Sequence, residues 1–254
     1  MSATVVIPAR FGSTRFPAKI VASKTGKPLV QHVVERAKGA VLARQVLVAT
    51  DDARIVDSLR PFGTIAVMTS PEHPSGTDRV AEVARGLDDQ IIVNVQGDEP
   101  EIEPATIDAL IRLLQQDSTL QMATAVTRFP AGEPVTNPNL VKCVRGVNGR
   151  AIYFSRAAVP FHRDAGSQAN VAVPDYFLHL GIYAYRREFV LKLATLAPTP
   201  LEQAEKLEQL RVLEHGYSIG TVEVERAVHG IDTPEQYDDF VKRYSEKREA
   251  EAAR

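Results

Sequence analysis

The sequence predicts an α/β fold with a mostly parallel central sheet, and two observations support this prediction. Short apolar runs recur through the first half of the chain, and each is followed by a segment with helical periodicity. Continuous apolar strands that alternate with helices are typical of parallel sheets covered on both faces. After about residue 120 the pattern changes to successive strands with few helices, which predicts a β-rich segment joined to the α/β core.

The strands predicted in the first half are the apolar runs ATVVIPA, QVLVATD, IAVMT and IIVNVQGD. The helix over 28–40 begins with a proline suited to a first turn and ends near Gly39. It places Leu29, Val33 and Ala37 on one stripe. Helical periodicity also marks DDARIVDSLRPFG and GTDRVAEVARGLDD, so we expect a helix between each pair of successive strands.

The strands predicted after residue 120 are QMATAVTRF, LVKCVRGVNGRAIYFSR and FLHLGIYAYRREFV. Asn148 and Gly149 predict a hairpin turn in which both residues take positive φ angles. The polar stretch 162–174 predicts a loop. One helix, PLEQAEKLEQLRVLEHG, a strand, SIGTVEVE, and a final helix from Pro234 complete the chain.

We expect a single domain over residues 1–254. It divides into an α/β core at 1–120, a β-rich subdomain at 121–215 and a return to the core at 216–254. The chain has 44% hydrophobic residues over its 254 positions, which suffices for a full core.

Composition and charge limit the classes of function. A formal net charge of -2 gives no general attraction to nucleic acid or anionic membranes, so we expect neither as a partner. No apolar run approaches the roughly 18 residues of a membrane span, and no signal-peptide pattern is present, so we expect a cytoplasmic protein. Cys143 is the only cysteine, which excludes an internal disulfide and a zinc site of paired thiolates and favours a buried core position.

A cluster of cations follows the first strand. Arg10, Arg15 and Lys19 lie in the loop IPARFGSTRFPAK, which contains no carboxylate. In an open α/β sheet, a loop at the carboxyl end of the first strand is well placed to bind phosphate. The pattern therefore predicts phosphate binding, and a solvated basic loop is the alternative.

Carboxylates follow two other predicted strands. In VNVQGDEP, Gly97 allows a sharp turn that places Asp98 beside the end of the first strand. In GIDTPEQ, Asp232 can supply a second carboxylate. Oxygen ligands opposite a basic loop predict Mg²⁺-nucleotide chemistry, whereas a turn or helix-cap role is the alternative for each aspartate.

The segment HPSGTDR precedes a predicted helix. Ser75, Gly76 and Thr77 can cap that helix, and this is the simpler interpretation. Alternatively, Ser75 and Arg79 can form hydrogen bonds with a flat polar ligand such as a nucleobase.

Together these motifs resemble those of the 3-deoxy-manno-octulosonate cytidylyltransferases, also called CMP-Kdo synthetases. The matching stretches occur in the family's order over nearly the whole chain: IPARFGSTRFPAK, HPSGTDR, VNVQGDEP, YFSRAAVPF, HLGIYAYR, LEQLRVLEHG and GIDTPEQ. The resemblance implies a Rossmann-like nucleotidyltransferase fold. It also implies transfer of CMP from CTP to 3-deoxy-D-manno-octulosonate (Kdo), giving CMP-Kdo and pyrophosphate for lipopolysaccharide biosynthesis, with Mg²⁺ as cofactor.

The resemblance also implies roles for individual residues and subdomains. Residues 1–120 would bind CTP, and 121–215 would bind the sugar and form the contact of a homodimer. The triphosphate would be held by Arg10, Arg15 and Lys19, the nucleoside by Ser75, Arg79 and Gln96, and Mg²⁺ by Asp98 and Asp232. Lys19, Asp98, Asp232 and Arg15 would be catalytic, and the sugar acid would meet Arg156, His179, Tyr183, Glu208 and Gln209.

Two alternatives remain open at this point. The sugar acid can be a relative of Kdo, such as 8-amino-Kdo or sialic acid, or the chain can be a non-catalytic regulator that binds nucleotide. The chain also departs from the family pattern at Ala18, where many members have glycine, and in the stretch IVASKTGKP. Both departures lie beside the phosphate loop.

Overall fold

The computed structural model describes residues 1–163, 176–226 and 230–252. The part of the predicted polar loop from 164 to 174 lies outside the described residues. The strands are β1 (Ala3–Ala9), β2 (Gln45–Thr50), β3 (Ala66–Met68), β4 (Ile91–Asn94), β5 (Met122–Arg128), β6 (Lys142–Arg145), β7 (Ala151–Ser155), β8 (Phe177–Arg186) and β9 (Ile219–Glu223).

The helices surround this sheet. They are α1 (Leu29–Ala37), α2 (Ala53–Leu59), α3 (Gly76–Arg85), α4 (Pro104–Gln116), α5 (Arg187–Leu193), α6 (Pro200–Glu205), α7 (Gln209–Glu214) and α8 (Pro234–Ala252). Short 3-10 helices cover Lys19–Val21 and Arg60–Phe62.

The strands form one sheet whose main path runs β3-β2-β1-β4-β8-β5-β9. The four strands of the first half pair in parallel, as predicted. Strand β8 runs antiparallel to β4 and β5, and β9 is parallel to β5. Strands β6 and β7 form a hairpin that pairs with the start of β8. The β-rich segment thus extends the core sheet.

Each face of the sheet carries its own hydrophobic core. Along β1, Val5 and Ile7 pack with the first core, which also includes residues of α1 and α4. Val6 faces the second core, together with residues of α3 and α5. This alternation follows from the strand geometry, because successive side chains point to opposite faces. Cys143 is buried in the second core, as predicted, and burial raises the pKa of its thiol to about 12.

Three local predictions are corrected by the structure. The single helix expected over the segment PLEQAEKLEQLRVLEHG is divided into α6 and α7, because Lys206 takes a left-handed conformation with φ 53° and ends the first helix. Helix α5 occupies residues predicted as the end of a strand. In the β6–β7 turn only Gly149 has a positive φ, 75°, and Asn148 does not. The turn spans more residues than predicted, because the amide of Gly146 pairs with the carbonyl of Arg150.

Within residues 1–163, 176–226 and 230–252, no helix combines the length and apolar character needed to cross a membrane.

Candidate active site

Lys19 joins two segments at the carboxyl edge of the sheet. Its Nζ atom donates to Oδ2 of Asp98 over 2.6 Å and lies 3.3 Å from Oδ1 of Asp232. Its side chain is only 8% exposed, so this charge is held in place by its surroundings. The predicted placement of Asp98 beside the end of β1 is confirmed, and Asp232 reaches the same point from the start of α8.

Gly97 makes this approach possible. A Cβ atom at position 97 would lie 2.9 Å from the carbonyl oxygen of Pro8, which is closer than such atoms pack. The turn after β4 therefore fits against β1 only with glycine. The amide of Ile231 donates to the carbonyl of Asp98 over 2.9 Å and fixes the segment that carries Asp232.

The two arginines of the first loop are more exposed than Lys19. Arg15 lies 3.0 Å from Oδ1 of Asp232, and 66% of its side chain is exposed. Arg10 is also exposed. Their guanidinium groups can therefore reach an anion above the sheet edge, and guanidinium forks suit phosphate oxygens.

Glu99 is a buried carboxylate beside this cluster. Burial and the neighbouring charge of Asp98 raise the pKa of Glu99 to about 8. Sequence reasoning gave Glu99 no role, because a carboxylate after a strand carries no signal of its burial.

A cavity of about 420 Å³ adjoins the cluster on the β4–β8 side of the sheet. It contains most of the residues that the resemblance assigns to sugar binding, and it also reaches Gly76 and Thr77 at the start of α3. The predicted site residues among its lining are Gln96, His179, Tyr183, Glu208 and Gln209. The structure therefore brings these residues together from β4, β8 and the start of α7.

His179 is half-buried in this cavity wall. Desolvation of its ring lowers its pKa to about 3, so the imidazole is neutral. Its Nε2 atom lies 3.0 Å from Oγ1 of Thr124. The Thr124 hydroxyl also lies 2.8 Å from the carbonyl oxygen of Ile182, which can only accept. Both contacts are satisfied when the Thr124 hydroxyl donates its proton to the carbonyl oxygen of Ile182 and accepts a hydrogen bond from the protonated Nε2 of His179. Nδ1 is then an acceptor.

Two further pairs of polar side chains in the cavity are hydrogen-bonded. The Tyr183 hydroxyl donates to Oε1 of Gln209 over 3.4 Å. Thr77 donates to Oε1 of Glu208, and burial raises the pKa of this carboxyl while the hydrogen bond from Thr77 opposes the rise. Sequence reasoning considered Thr77 only as a helix cap and missed Thr124, because a threonine in a helix start or an apolar strand has no pattern that marks it as part of a site.

Three of the residues predicted to bind the nucleoside or the sugar lie outside the cavity lining. Ser75 caps α3 by accepting from the amide of Asp78, which matches its simpler interpretation. Arg79 is 1% exposed, and its guanidinium donates to Asp51 over 2.8 Å and to Thr69.

Arg156 donates from its side chain to the carbonyl oxygens of Glu205, Pro138 and Lys206. It thereby holds the segment that leads into Glu208. Contact of Ser75 and Arg79 with a nucleobase, and of Arg156 with the sugar, stays a prediction.

The donor set suits a hard divalent cation. Asp98 and Asp232 already meet around one positive charge, the ammonium of Lys19, and both offer carboxylate oxygens of the kind that Mg²⁺ prefers. Within the described ranges, no group of three or more histidine, cysteine, aspartate or glutamate side chains forms a metal cage. In proteins, Mg²⁺ is commonly bound by one or two carboxylates together with substrate phosphates and water.

A largely parallel central sheet with a cationic loop after its first strand and carboxylates after its fourth is the arrangement of a nucleotidyltransferase. Consistently, the family model described as Cytidylyltransferase matches residues 4–219. Curated relatives named 3-deoxy-manno-octulosonate cytidylyltransferase include one from Geotalea daltonii, 50% identical over 252 residues, covering 97% of this chain and 100% of the relative. Another, from Geobacter metallireducens, is 49% identical and covers 96% of this chain and 98% of the relative.

A solved structure agrees with these relatives. The structure of a CMP:2-keto-3-deoxy-manno-octonic acid synthetase complexed with CTP superposes with a TM-score of 0.90 at 39% identity, covering 97% of this chain and 100% of that one. The chain belongs to the family of 3-deoxy-manno-octulosonate cytidylyltransferases, and the family resemblance and fold inferred from the sequence motifs are thereby confirmed.

Proposed function

We propose that this chain transfers CMP from CTP to 3-deoxy-D-manno-octulosonate and releases pyrophosphate. The observation that carries the proposal is the 50% identity to a cytidylyltransferase of that name over that relative's whole length. The site supports it, because a cationic loop, two carboxylates and a polar cavity adjoin one another in the order that a triphosphate and a sugar acceptor require.

The reaction is an in-line displacement at the α-phosphorus. The anomeric hydroxyl oxygen of the sugar acid forms a bond to the α-phosphorus, and the hydroxyl proton is released. The bond between the α-phosphorus and the oxygen that bridges it to the β-phosphate breaks, and pyrophosphate leaves with that oxygen. Positioning and charge neutralisation account for most of the catalysis in such reactions.

Arg10, Arg15 and Lys19 hold the triphosphate in this proposal. Arg10 and Arg15 are exposed at the sheet edge and can meet the outer phosphate oxygens. Lys19 is buried and supplies a fixed positive charge at the point where the leaving pyrophosphate gains negative charge. This explains why the loop carries cations without carboxylates of its own.

Asp98 and Asp232 would hold Mg²⁺ together with phosphate oxygens. Such an ion, when bound, neutralises phosphate charge and lowers the pKa of a hydroxyl that it touches. The two carboxylates lie on either side of Lys19, so they also orient its ammonium toward the substrate.

The cavity beside Asp98 holds the sugar acid. Its neutral imidazole, phenol and amide groups from His179, Tyr183 and Gln209 can donate to and accept from hydroxyl groups. Because His179 stays neutral, it presents an acceptor at Nδ1 and adds no charge to the cavity.

We also propose a homodimer, a cytoplasmic location and a role in lipopolysaccharide biosynthesis, which follows from the proposed product. Val147 and Ile152 on the β6–β7 hairpin are exposed apolar residues, at 112% and 62%, and a second copy of the chain is the occupant we propose for this surface. Sedimentation of the wild-type chain and of Ile152→Asp tests the dimer: the variant is expected to sediment as a monomer, and an unchanged dimer would contradict this contact.

Pyrophosphate release from CTP and Mg²⁺ tests the function. The assay is run with Kdo, with 8-amino-Kdo, with sialic acid and with no sugar. We expect pyrophosphate release in the reaction that contains Kdo and in none of the other three. Release with another sugar acid would reassign the substrate. Binding of CTP with no sugar-dependent product would favour the non-catalytic regulator.

A further inference from the structure

Asn94 has a polar amide side chain at a buried strand position where an apolar side chain is usual. It ends β4, shares a face of that strand with Ile92 and is 2% exposed. Ile92 belongs to the second hydrophobic core. Because burying a polar group without a hydrogen-bond partner is unfavourable, an asparagine here requires a partner for each of its polar atoms.

One of those atoms has no hydrogen-bond partner within the part of the chain that the structure describes. Among the described residues nothing donates to Oδ1 of Asn94, although Asn94 lines the 420 Å³ cavity. Its register partner on β8 is Tyr183, whose hydroxyl donates to Gln209. Nε2 of Gln209, a residue 4% exposed in the same cavity, also lacks an acceptor within the described residues. Among the described residues that line the cavity, one acceptor and one donor therefore lack a partner.

A hydroxyl group is the ligand chemistry that suits both atoms, because it can donate and accept. Ionised phosphate oxygens only accept, so a triphosphate cannot satisfy Oδ1 of Asn94. None of Arg10, Arg15 and Lys19 lines the cavity. The cavity meets the cluster around Lys19 through Gly230, because a Cβ atom at that position would lie 3.5 Å from Oδ1 of Asp98. A hydroxyl-rich acceptor substrate fits this position.

We propose that Oδ1 of Asn94 accepts a hydrogen bond from a hydroxyl group of the sugar acid and thereby selects that substrate. This inference rests on the proposed function and adds a specificity-determining residue to it. A site that hydrogen-bonds a substrate hydroxyl discriminates against analogues that lack it, because the buried site atom is then left unpaired.

The test uses Asn94→Leu, which keeps the size of the side chain and removes its polar atoms. We expect the KM for the sugar acid to rise about tenfold while the KM for CTP changes by less than about twofold. Analogues of the sugar acid that each lack one hydroxyl locate the contact. The wild-type chain should lose activity with one analogue. Asn94→Leu should have the same activity with that analogue as with the complete sugar acid. Ile92→Ala, on the same strand face, controls for lost packing.

The proposal would be overturned if Asn94→Leu raised the KM for CTP as much as the KM for the sugar acid, or raised neither. It would also be overturned if every analogue lost the same activity with the wild-type chain as with the variant. Where Asn94→Leu does not fold, Asn94→Ser takes its place in the same comparison. If the wild-type chain releases no pyrophosphate with Kdo, the proposed function fails. Calorimetric titration of Kdo into the wild type and the variant then tests the Asn94 contact. Weaker binding of Kdo by the variant supports the contact. Equal binding by the two proteins, or no binding by the wild type, overturns it.

Discussion

The ammonium of Lys19 lies between two carboxylates, 2.6 Å from Oδ2 of Asp98 and 3.3 Å from Oδ1 of Asp232. These residues come from the first loop, the turn after β4 and the start of α8. Because the ammonium contacts both carboxylates, a substitution of any one of the three residues acts on the other two. The phosphate loop and the proposed metal site are therefore one unit in this structure.

Asp98→Asn should lower kcat by about 100-fold while CTP binding changes by only a few-fold, because the cations that hold the triphosphate remain and the charge that orients Lys19 is lost. Steady-state kinetics with calorimetric CTP binding measures both quantities. Asp57→Asn, which removes an exposed carboxylate paired with Arg60, is the matched control. Near-normal turnover in Asp98→Asn would remove Asp98 from the catalytic centre.

Thr124→Val should lower kcat/KM for the sugar acid about tenfold, because Nε2 of His179 loses the hydroxyl that fixes its tautomer. Thr124→Ser restores the hydroxyl and should recover most of the activity. Thr127→Val, another buried threonine of β5, controls for the loss of a hydroxyl elsewhere on the strand. Equal activity in Thr124→Val and wild type would show that the tautomer is set by another group.

Ala18→Gly should raise the free energy of unfolding by about 1 kcal/mol, because Ala18 has a φ of 56°, a left-handed conformation that strains a residue with a Cβ. Ala22→Gly is the matched control, since its φ of -58° suits alanine and glycine should lower stability there. Urea denaturation measures both, and a loss of stability in Ala18→Gly would contradict the strain.

His32 should make the chain less stable in acid. Burial, with a contribution from Lys27, lowers its pKa to about 4 from 6.5. Between these values the unfolded chain takes up the proton and the folded chain does not, so stability falls as the pH drops below 6.5. From pH 7.5 to 5.5, the wild type should lose roughly 1 kcal/mol more than His32→Gln.

Urea denaturation at the two pH values measures this difference. His215→Gln, at an exposed imidazole, is the control and should lose as much stability as the wild type. If His32→Gln and the wild type have the same pH dependence, the buried imidazole does not contribute to acid destabilisation.

Much of the fold could be predicted because its cause is local. The apolar run that ends at Asn94 and the turn at Gly97 together predict a strand whose end carries Asp98, and the parallel pairing of β1 with β4 then brings Asp98 to the first loop. The helix break at Lys206 could not be predicted, because a lysine at positive φ has no sequence signal.

The polar partners within the site were harder to predict than its elements. Arg79 is held by Asp51 and Thr69, which lie at the ends of other strands, so its burial depends on tertiary contacts. The pairing of Thr124 with His179 crosses from β5 to β8 beside an irregularity in the register. Neither contact follows from local periodicity, which reports the face of an element and not the partner across it.

The most direct test of the central claim is the ³¹P spectrum of a reaction of CTP, Kdo and Mg²⁺ with the wild-type chain. Our account predicts one new phosphodiester signal, from CMP joined to the sugar, growing in equal amount with pyrophosphate and only when Kdo is present. Pyrophosphate accompanied by free CMP, or a spectrum in which CTP remains unchanged, would contradict cytidylyl transfer to this sugar acid.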